Sequence, residues 1–382
     1  MTTTSPESQD ETDHSHRPQN TRHGKRTGKR ERADHTVSDR ANHARVVYIG
    51  GTGARQITLA DVAAVARDGT SVRLANDARA RIAKAHAFIE AIIAENRTVY
   101  GVTTGFGRLN HVKIAPDQVK TLQRNLIRSH ASGVGEPFDI PTARAIMLTL
   151  ANSLARGHSG VRQEVIELLI GMLNHDVTPV IPMRGSVGAS GDLAPLSHLG
   201  LLLFGEGEAW HARERLPGDV ALARAGLTPL ELDAKEGLAI NNGTHVMEAC
   251  GALAITDAWR LVRAAEVAVA MSIEALAGNF VPLDARIHAI RPQRGQGRTA
   301  ARLRALLVES EINANRDPAS PVQDPYTLRC APQVLGAARD ALAYCEGVFA
   351  VELEAVTDNP LLFPEDGEML TGGNFHGQPL AL

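Results

Sequence analysis

The sequence predicts a mostly α-helical fold: a bundle of long helices with a small α/β element towards the N-terminus. Its 382 residues are 43% hydrophobic but only 4% aromatic, and this composition favours helices packed through small and aliphatic side chains. Beyond residue 77, apolar residues recur at the spacing of a helix face. Strand-like runs are few, so we expect helices to form the core.

The first ordered element is predicted in residues 44–66, which read ARVVYIGGTGARQITLADVAAVA. A short β-branched run, then glycines, then a helical pattern is typical of the start of a dinucleotide-binding fold. The segment lacks the third glycine at the spacing that brings a helix N-terminus to a pyrophosphate. We therefore favour a hairpin or a strand–turn cap over a nucleotide site.

Helical patterns then follow one another along the chain. They cover 77–96, 115–133, 140–160, 161–177, 243–278 and 330–360. Asp77 is the expected N-cap of the first of them. The last two are Ala-rich and contain few glycines, and they predict the long helices of the bundle.

Residues 1–44 contain almost no large apolar side chain and include the basic run HGKRTGKRER at 23–32. Such a segment buries too little surface to offset its ordering entropy, so we predict a disordered polar tail before a folded domain at 45–382. An arm that contacts RNA or a membrane is the alternative, but no aromatic residues are interleaved with the basic ones. The segment also lacks the apolar core of a signal peptide, so secretion is not expected.

Net charge and cysteine usage exclude several classes of function. The formal charge is −3, which argues against nucleic acid as a partner. The longest nearly uncharged apolar run, 196–205, is too short to cross a membrane. Cys250, Cys330 and Cys345 are far apart and form no CxxC pair, so we expect no disulfide framework, no metal site and a reducing cytoplasm.

The most informative stretch is GSVGASGD at 185–192, where glycine recurs at every third place. A phosphate loop needs a lysine and a hydroxyl after the last glycine, but Asp192 and Leu193 follow here. The stretch GHSGV at 157–161 lacks the second glycine of a nucleophile elbow. A plain turn is a second interpretation, in which Ser190 or Asp192 caps the helix that begins with LAPLSH.

A third interpretation of this stretch is chemical. If the nitrogen of Gly191 attacks the Ala189 carbonyl, a five-membered ring closes, and loss of water from the ring and from Ser190 leaves an exocyclic C=C conjugated to a carbonyl. The three residue types suit this reaction, because alanine is small, serine supplies the leaving hydroxyl and glycine has no Cβ to block a compressed turn. A helix that begins near Leu193 favours the negative charge that develops on the ring. The product is a strong electrophile.

The longer stretch GSVGASGDLAPLSH at 185–198 resembles the signature of the aromatic amino acid ammonia-lyases, which build the 4-methylidene-imidazol-5-one (MIO) electrophile from Ala-Ser-Gly. Other motifs also resemble those of the family, in the family's order. They are YGVTTGFG (100–107), LQRNLIRSHASGVGEP (122–137), KEGLAINNGT (235–244), QDPYTLRCAPQV (323–334), and VTDNP with GGNFHGQP (356–379). The resemblance spans about residues 45–382 and implies the long-helix bundle of the fumarase/aspartase-like superfamily. It implies no external cofactor.

The resemblance implies catalytic roles for the positions that match. Ala189, Ser190 and Gly191 become the MIO group. Tyr100 resembles the base that removes the β-proton of the substrate. A phenol is a poor base near neutral pH, so this role requires neighbours that lower the pKa of Tyr100. An ordinary turn tyrosine is the alternative.

Further matching positions resemble the substrate-binding residues of the family. Arg329 resembles the clamp for the substrate carboxylate, a bidentate task that suits a guanidinium. The polar shell around the ring and substrate matches Asn242, Gln323 and Tyr326, and Tyr326 is also counted among the catalytic residues. The apolar wall matches Phe375. Tyr326 and Arg329 are three residues apart, so one helical turn would place them on the same face. Each residue also has an alternative interpretation when it is taken singly. Arg329 would form a surface ion pair, Asn242 would cap a helix and Phe375 would lie in the core.

The residues that meet the substrate side chain in this family match Ser129 and His130. Members that act on histidine resemble this Ser-His pair, and a histidine here can hydrogen-bond an imidazole. A helix C-terminal position is the alternative for His130. The chain departs from the family at Asn241 and His245, where an apolar residue and a glutamine are usual. We expect L-histidine as the substrate and trans-urocanate as the product. Because of these departures, tyrosine or phenylalanine as the substrate, or an aminomutase reaction, remains an alternative.

The resemblance further implies a homotetramer whose sites draw residues from several subunits. The family continues into further helices after the segment that matches GGNFHGQP, and this sequence ends at Leu382. Those helices normally add a glutamate to the site and much of the subunit packing. An inactive paralogue is therefore an alternative to an ammonia-lyase.

Overall fold

A computed structural model describes residues 45–53, 56–95, 97–105, 107, 111 and 113–382 of the chain. All of these residues fall in one compact unit. The predicted tail at 1–44 lies outside the described residues, so that prediction stays untested.

Helices dominate the described residues, which confirms the predicted fold class. The helices are α1 (Leu59–Asp68), α2 (Asn76–Ala94), α3 (Val119–His130), α4 (Ile140–Leu154), α5 (Gln163–Asn174), α6 (Leu193–Leu203), α7 (Gly218–Arg224), α8 (Glu236–Asn241), α9 (His245–Ala275), α10 (Ala285–Ala289), α11 (Arg294–Leu306), α12 (Glu311–Ala314), α13 (Tyr326–Arg329), α14 (Ala331–Glu352) and α15 (Gln378–Ala381). The strands are β1 (Val46–Ile49), β2 (Ser71–Leu74), β3 (Val134–Pro137), β4 (Thr178–Pro179), β5 (Pro182–Arg184), β6 (Glu208–His211), β7 (Glu214–Pro217), β8 (Leu361–Phe363) and β9 (Glu368–Leu370).

The strands form small sheets at the margins of the helical core. β1 and β2 are parallel, with Val46 opposite Ser71 and Ile49 opposite Leu74. The hairpin expected near β1 is therefore wrong, because parallel strands need a crossover and α1 supplies it. The remaining sheets, β3–β5, β4–β6–β7 and β8–β9, are antiparallel.

Helix ends show where local sequence decides structure and where it does not. α1 begins with a capping box, in which Thr58 accepts from the Asp61 backbone N–H and the Asp61 carboxylate accepts from the Thr58 N–H. The expected cap at Asp77 is wrong, since α2 starts one residue earlier with Ala75 at the N-cap. The Asp77 carboxylate instead accepts from Thr52 Oγ1 at 3.2 Å and pairs with a side chain on the next turn.

The core is centred on α4, whose residues from Ala143 to Leu154 are all buried. α4 packs against α1, α5 and α9, which surround it. A helix buried on all sides must be apolar all round, and the sequence of α4 is nearly so. Its buried Arg144 donates from Nε and Nη2 to the Val65 carbonyl, each at 3.2 Å.

α9 and α14 are the two long helices, and they pack side by side in opposite directions. Three side-chain contacts fix this alignment: Thr244–Glu352, Trp259–Glu346 and Glu266–Arg339. α9 has 31 residues, which is roughly 46 Å at the rise of an α-helix. It therefore has two well-separated ends, named here the Ser190 end, at His245, and the Arg329 end, at Ala275.

Candidate active site

The loop that carries Ala189, Ser190 and Gly191 lies between β5 and α6 and touches the Ser190 end of α9. Gly191 has a φ of +81°, and a Cβ added there would lie 2.4 Å from the Gly243 carbonyl oxygen. The next residue, Asp192, donates its backbone N–H to the same oxygen at 2.7 Å. The position therefore requires glycine for its backbone conformation and for the close approach of a second backbone.

Asp192 fixes this loop to α9. The residue occupies the N-cap position of α6 but makes no side-chain cap there, so the capping interpretation of Asp192 is wrong. Its carboxylate accepts from the backbone N–H groups of Val246 and Met247 at 2.9 and 3.0 Å, and from Ser186 Oγ. Burial raises the pKa of Asp192, while these three hydrogen bonds act in the opposite direction.

A cavity of about 610 Å³ opens beside Ser190. Five of the residues singled out in the sequence line it: Tyr100, His130, Ser190, Asn242 and Phe375. Ala189 and Gly191 flank Ser190 in the chain but do not line this cavity. One wall is aliphatic and is made by Leu126, Leu193 and Leu238.

Asn242 connects the cavity to the loop. It follows α8 in an extended conformation and is buried. Its Nδ2 donates to the Ser190 carbonyl oxygen at 2.7 Å. A hydrogen-bond donor on this carbonyl stabilises negative charge on it, which suits a site that makes or uses an electrophile.

His130 ends α3 and lines the cavity, whereas Ser129 does not. His130 Nδ1 lies 2.9 Å from the Leu126 carbonyl oxygen, which can only accept, so Nδ1 carries a proton. Ser129 Oγ donates to the same carbonyl at 2.9 Å and lies 3.0 Å from His130 Nδ1. Ser129 thus contacts the Nδ1 side of the imidazole. Nε2 of His130 is the ring nitrogen that remains for a ligand.

Tyr100 and Phe375 come from segments far apart in sequence. Tyr100 is half-buried in a turn, and its hydroxyl oxygen accepts from the Gly107 N–H at 3.4 Å. Phe375 is half-buried in the segment whose Gly377 N–H donates to the Gly188 carbonyl at 2.9 Å. The C-terminal segment thereby contacts the same loop as α9.

The structure does not bring Gln323, Tyr326 and Arg329 to this cavity within one chain. Leu328 of α13 packs with Ala270 and Ile273, near the Arg329 end of α9. Ala270 is 24 residues beyond Val246, which contacts Asp192, and this separation is roughly 36 Å along the helix.

Tyr326 and Arg329 nevertheless lie on one face, as their spacing predicted. The Arg329 guanidinium carbon is 4.7 Å from the centre of the Tyr326 ring. Tyr326 is 71% exposed and Gln323 is also exposed. Arg329 Nε is buried and has no hydrogen-bond partner among the described residues.

Sequence reasoning gave no role to the charged groups buried behind the loop. Lys235 and Asp358 form a buried ion pair with Nζ and Oδ2 2.6 Å apart, and Ser159 Oγ donates to the other carboxylate oxygen at 2.8 Å. Asp358 precedes Asn359, which lines the cavity. Lys235 lies in the KEGL motif and Asp358 in the VTDNP motif, and both motifs were noted in the sequence. The sequence does not show that these two residues pair with each other.

His245 and Glu248 lie in the first turn of α9 and are also buried. His245 Nδ1 is 3.5 Å from Glu248 Oε2, and a Cβ added to Gly243 would lie 2.7 Å from His245 Nε2. Burial lowers the pKa of His245 to about 4. Burial, together with the nearby carboxylates of Glu352 and Asp192, raises the pKa of Glu248.

These observations fit a MIO group at Ala189–Gly191. The close backbone approach at Gly191 leaves no room for a side chain, and Asn242 already donates to the Ser190 carbonyl. Within the described part of the chain, no three His, Cys, Asp or Glu side chains group as they would around a metal ion. None of the helices described is long and apolar enough to cross a membrane.

The chain is similar in sequence to known proteins. A family model described as aromatic amino acid lyase matches residues 57–382. A histidine ammonia-lyase of Anaeromyxobacter sp. (strain K) is 51% identical over 335 residues, which cover 85% of this chain and 66% of that protein.

Solved structures share the fold. The crystal structure of histidine ammonia-lyase from Trypanosoma cruzi matches with a TM-score of 0.80 and 39% identity, over 88% of this chain and 63% of that one. The phenylalanine aminomutase of Pantoea agglomerans matches with a TM-score of 0.80 and 32% identity, over 87% of this chain and 67% of that one. The chain therefore spans less than two thirds of the length of both histidine ammonia-lyases.

Proposed function

The chain belongs to the aromatic amino acid lyase family, and from that premise we propose that it eliminates ammonia from L-histidine to give trans-urocanate. The observation that carries the proposal is the cavity that Ser190 shares with Tyr100 and His130. This cavity places a residue of the Ala-Ser-Gly loop, a phenol and an imidazole around one space. The curated relative and the T. cruzi structure named above, both histidine ammonia-lyases, support the choice of substrate.

The proposed cofactor is the MIO group formed from Ala189, Ser190 and Gly191, with no external cofactor and no metal. When formed, this group supplies an electron-poor alkene that activates the substrate amino group as a leaving group. Asn242 holds the Ser190 carbonyl through its amide, at 2.7 Å. The N-terminus of α6, which begins at Leu193, favours negative charge that develops at the loop.

The side chains that line the cavity then have separate tasks. Tyr100, as the phenolate, takes the β-proton of the substrate and becomes the phenol, and the half-buried Phe375 covers the reacting atoms from water. His130 Nε2 contacts the imidazole of the substrate, because Nδ1 is engaged by the Leu126 carbonyl. Orientation and exclusion of water are thus the main contributions of the protein.

We assign the carboxylate clamp, Arg329, and its neighbours Gln323 and Tyr326 to a second copy of the chain, within a homotetramer. The separation of roughly 36 Å along α9 supports this assignment. Apolar side chains exposed on α9 and α14 also support it, since large apolar patches on a surface indicate contact with another chain. They are Leu261, Val267, Met271, Val334, Tyr344 and Val351.

The proposed location is the cytoplasm. Cys250, Cys330 and Cys345 are all free thiols in the structure. Free thiols are typical of a reducing compartment.

A lyase or 2,3-aminomutase acting on tyrosine or phenylalanine is the second candidate. It is favoured by the similarity to the P. agglomerans phenylalanine aminomutase. The two candidates differ in product, because an aminomutase returns a β-amino acid whereas a lyase releases ammonia and an unsaturated acid.

The test is incubation of the purified chain with L-histidine, L-tyrosine and L-phenylalanine in parallel, with ultraviolet detection of the product and an ammonia assay. We expect urocanate and ammonia from L-histidine only. An intact mass about 36 Da below the sequence mass, from loss of two waters, reports the MIO group separately. Product from the other amino acids alone would contradict the proposed substrate.

His130→Leu should abolish turnover of L-histidine, and the chain offers a matched control for it. His175 directly follows α5 as its C-cap, and its Nδ1 lies 2.8 Å from the Gly171 carbonyl, four residues earlier, just as His130 lies near Leu126. His175 does not line the cavity. His175→Leu should therefore leave turnover unchanged.

A further inference from the structure

Asn241 is a fully buried polar residue that lines the cavity beside Asn242. It is the last residue of α8 and follows Leu238 by three positions, so both residues lie on one face of that helix. The roles described above do not use it.

The orientation of the Asn241 amide is fixed by Ser197. Ser197 Oγ donates its single proton to the Leu193 carbonyl at 2.7 Å, so towards Asn241 it can only accept. Asn241 Nδ2 lies 3.3 Å from this hydroxyl oxygen and donates to it. A reversed amide would place two acceptors against each other, so Oδ1 is the atom that points away from Ser197.

Asn241 Oδ1 is buried and has no hydrogen-bond partner among the described residues. Leaving a buried acceptor unpaired is unfavourable, so a donor supplied by a ligand is favoured there. The same cavity contains the aliphatic wall of Leu126, Leu193 and Leu238, which suits a flat ring.

We infer that Asn241 is a specificity-determining residue, whose Oδ1 accepts a hydrogen bond from a ring N–H of the substrate and selects an imidazole over a phenyl ring. The inference rests on the proposed function and names a further contact in its site. With Nδ1 of His130 protonated, His130 Nε2 is an acceptor like Asn241 Oδ1, so together the two fit the two N–H groups of an imidazolium ring. A phenyl ring offers neither a donor nor an acceptor and would leave Asn241 unpaired.

The test replaces Asn241 by leucine, which has a similar volume and no acceptor. We expect kcat/KM for L-histidine to fall about 10–100-fold, chiefly through a higher KM. L-phenylalanine is the control and is measured by binding rather than by turnover, because its ring makes no hydrogen bond that the substitution could remove.

Binding measured without turnover separates this inference from the proposed function. In the Ser190→Ala background, calorimetric titration should show that Asn241→Leu weakens L-histidine at least about tenfold and leaves L-phenylalanine unchanged. If the wild-type chain turns over no amino acid but this binding difference is found, the proposed function fails and the role of Asn241 stands. Equal weakening of both ligands, no weakening, or no binding of L-histidine would overturn the inference.

Discussion

The two ends of α9 differ in how completely a single chain surrounds them. At the Ser190 end, seven of the 11 residues from 245 to 255 are buried, whereas only three of the 20 residues from 256 to 275 are. The first end has backbone-to-backbone contacts, a buried ion pair and a cavity. The second has exposed apolar side chains, with Leu261 70% exposed and Met271 66% exposed.

The sequence-predicted site residues divide between these same two ends. Ser190, Asn242, His130, Tyr100 and Phe375 meet at the well-packed end. Gln323, Tyr326 and Arg329 lie near the exposed end. On the proposed function, one chain holds the part of the site that makes the electrophile, and we assign the carboxylate clamp to a second copy.

The largest expected effect is at the Ser190 end. Ser190→Ala removes the hydroxyl that leaves as water, so the electrophile cannot form and activity should fall at least about a thousandfold. Intact mass spectrometry should find the variant without the deficit of about 36 Da expected for the wild type. Equal mass deficits in both proteins would contradict the assignment of Ser190.

A second change tests the close packing at this end. In the Ser190→Ala background, Gly191→Ala should lower the free energy of unfolding by more than about 3 kcal/mol, because the new Cβ would lie 2.4 Å from the Gly243 carbonyl oxygen. Denaturant unfolding measures this change. Gly226→Ala is the matched control, since Gly226 has a φ of +71° but nothing within 4 Å of an added Cβ. Gly226→Ala should lower the free energy of unfolding by about 1 kcal/mol, from backbone strain alone. If both substitutions lower it equally, the close approach of Gly243 is not what makes glycine necessary at position 191.

A pH-dependent effect is expected from His245, which is buried beside Glu248. Its pKa is about 4 in the folded chain against 6.5 as the ordinary value. Because the unfolded chain binds the proton more tightly, the stability from neutral His245 is complete above pH 6.5 and is lost as the pH falls towards 4. At pH 5 the loss is about 2 kcal/mol.

His245→Gln should therefore reduce the drop in unfolding free energy between pH 7.5 and pH 5 by about 2 kcal/mol. The measurement is denaturant unfolding at the two pH values. The same substitution at the exposed His175 is the control and should leave the drop unchanged. A drop that His245→Gln does not alter would mean that the buried imidazole is not the group responsible.

The smallest effect on folding is expected at the exposed end. Met271→Glu changes an exposed side chain and should alter the unfolding free energy of a single chain by less than about 0.5 kcal/mol. It should nevertheless break the assembly, because a charge replaces an apolar contact between copies. Sedimentation velocity measures this, with Val220→Glu on α7 as the control. Assembly that survives Met271→Glu would place the contact between copies elsewhere.

Much of the helical fold could be predicted from the sequence, because the apolar period reports which face of a helix is buried. The long patterns at 243–278 and 330–360 correspond to α9 and α14. The same period does not show which other element packs against that buried face. The parallel pairing of β1 with β2 and the bonds from Asp192 to α9 rather than to α6 depend on such long-range contacts.

The candidate site could also be predicted only in part, because long-range contacts complete it. The motifs that resemble the family identified residues that meet in one cavity although they come from five segments of the chain. The sequence marked Asn241 and His245 only as departures. Asn241 Oδ1 is unpaired because Ser197 donates its proton to a backbone carbonyl. The spacing of residues in the sequence does not reveal the direction of that hydrogen bond.

The most direct test of the shared site is complementation between two inactive variants. Tyr100→Phe and Arg329→Ala should each lower kcat/KM about 100-fold on their own. When the two are coexpressed and the mixed assembly is purified, random assortment should restore about a quarter of wild-type activity, because a site can take its tyrosine from one copy and its arginine from another. Activity no higher than that of the single variants would contradict the account.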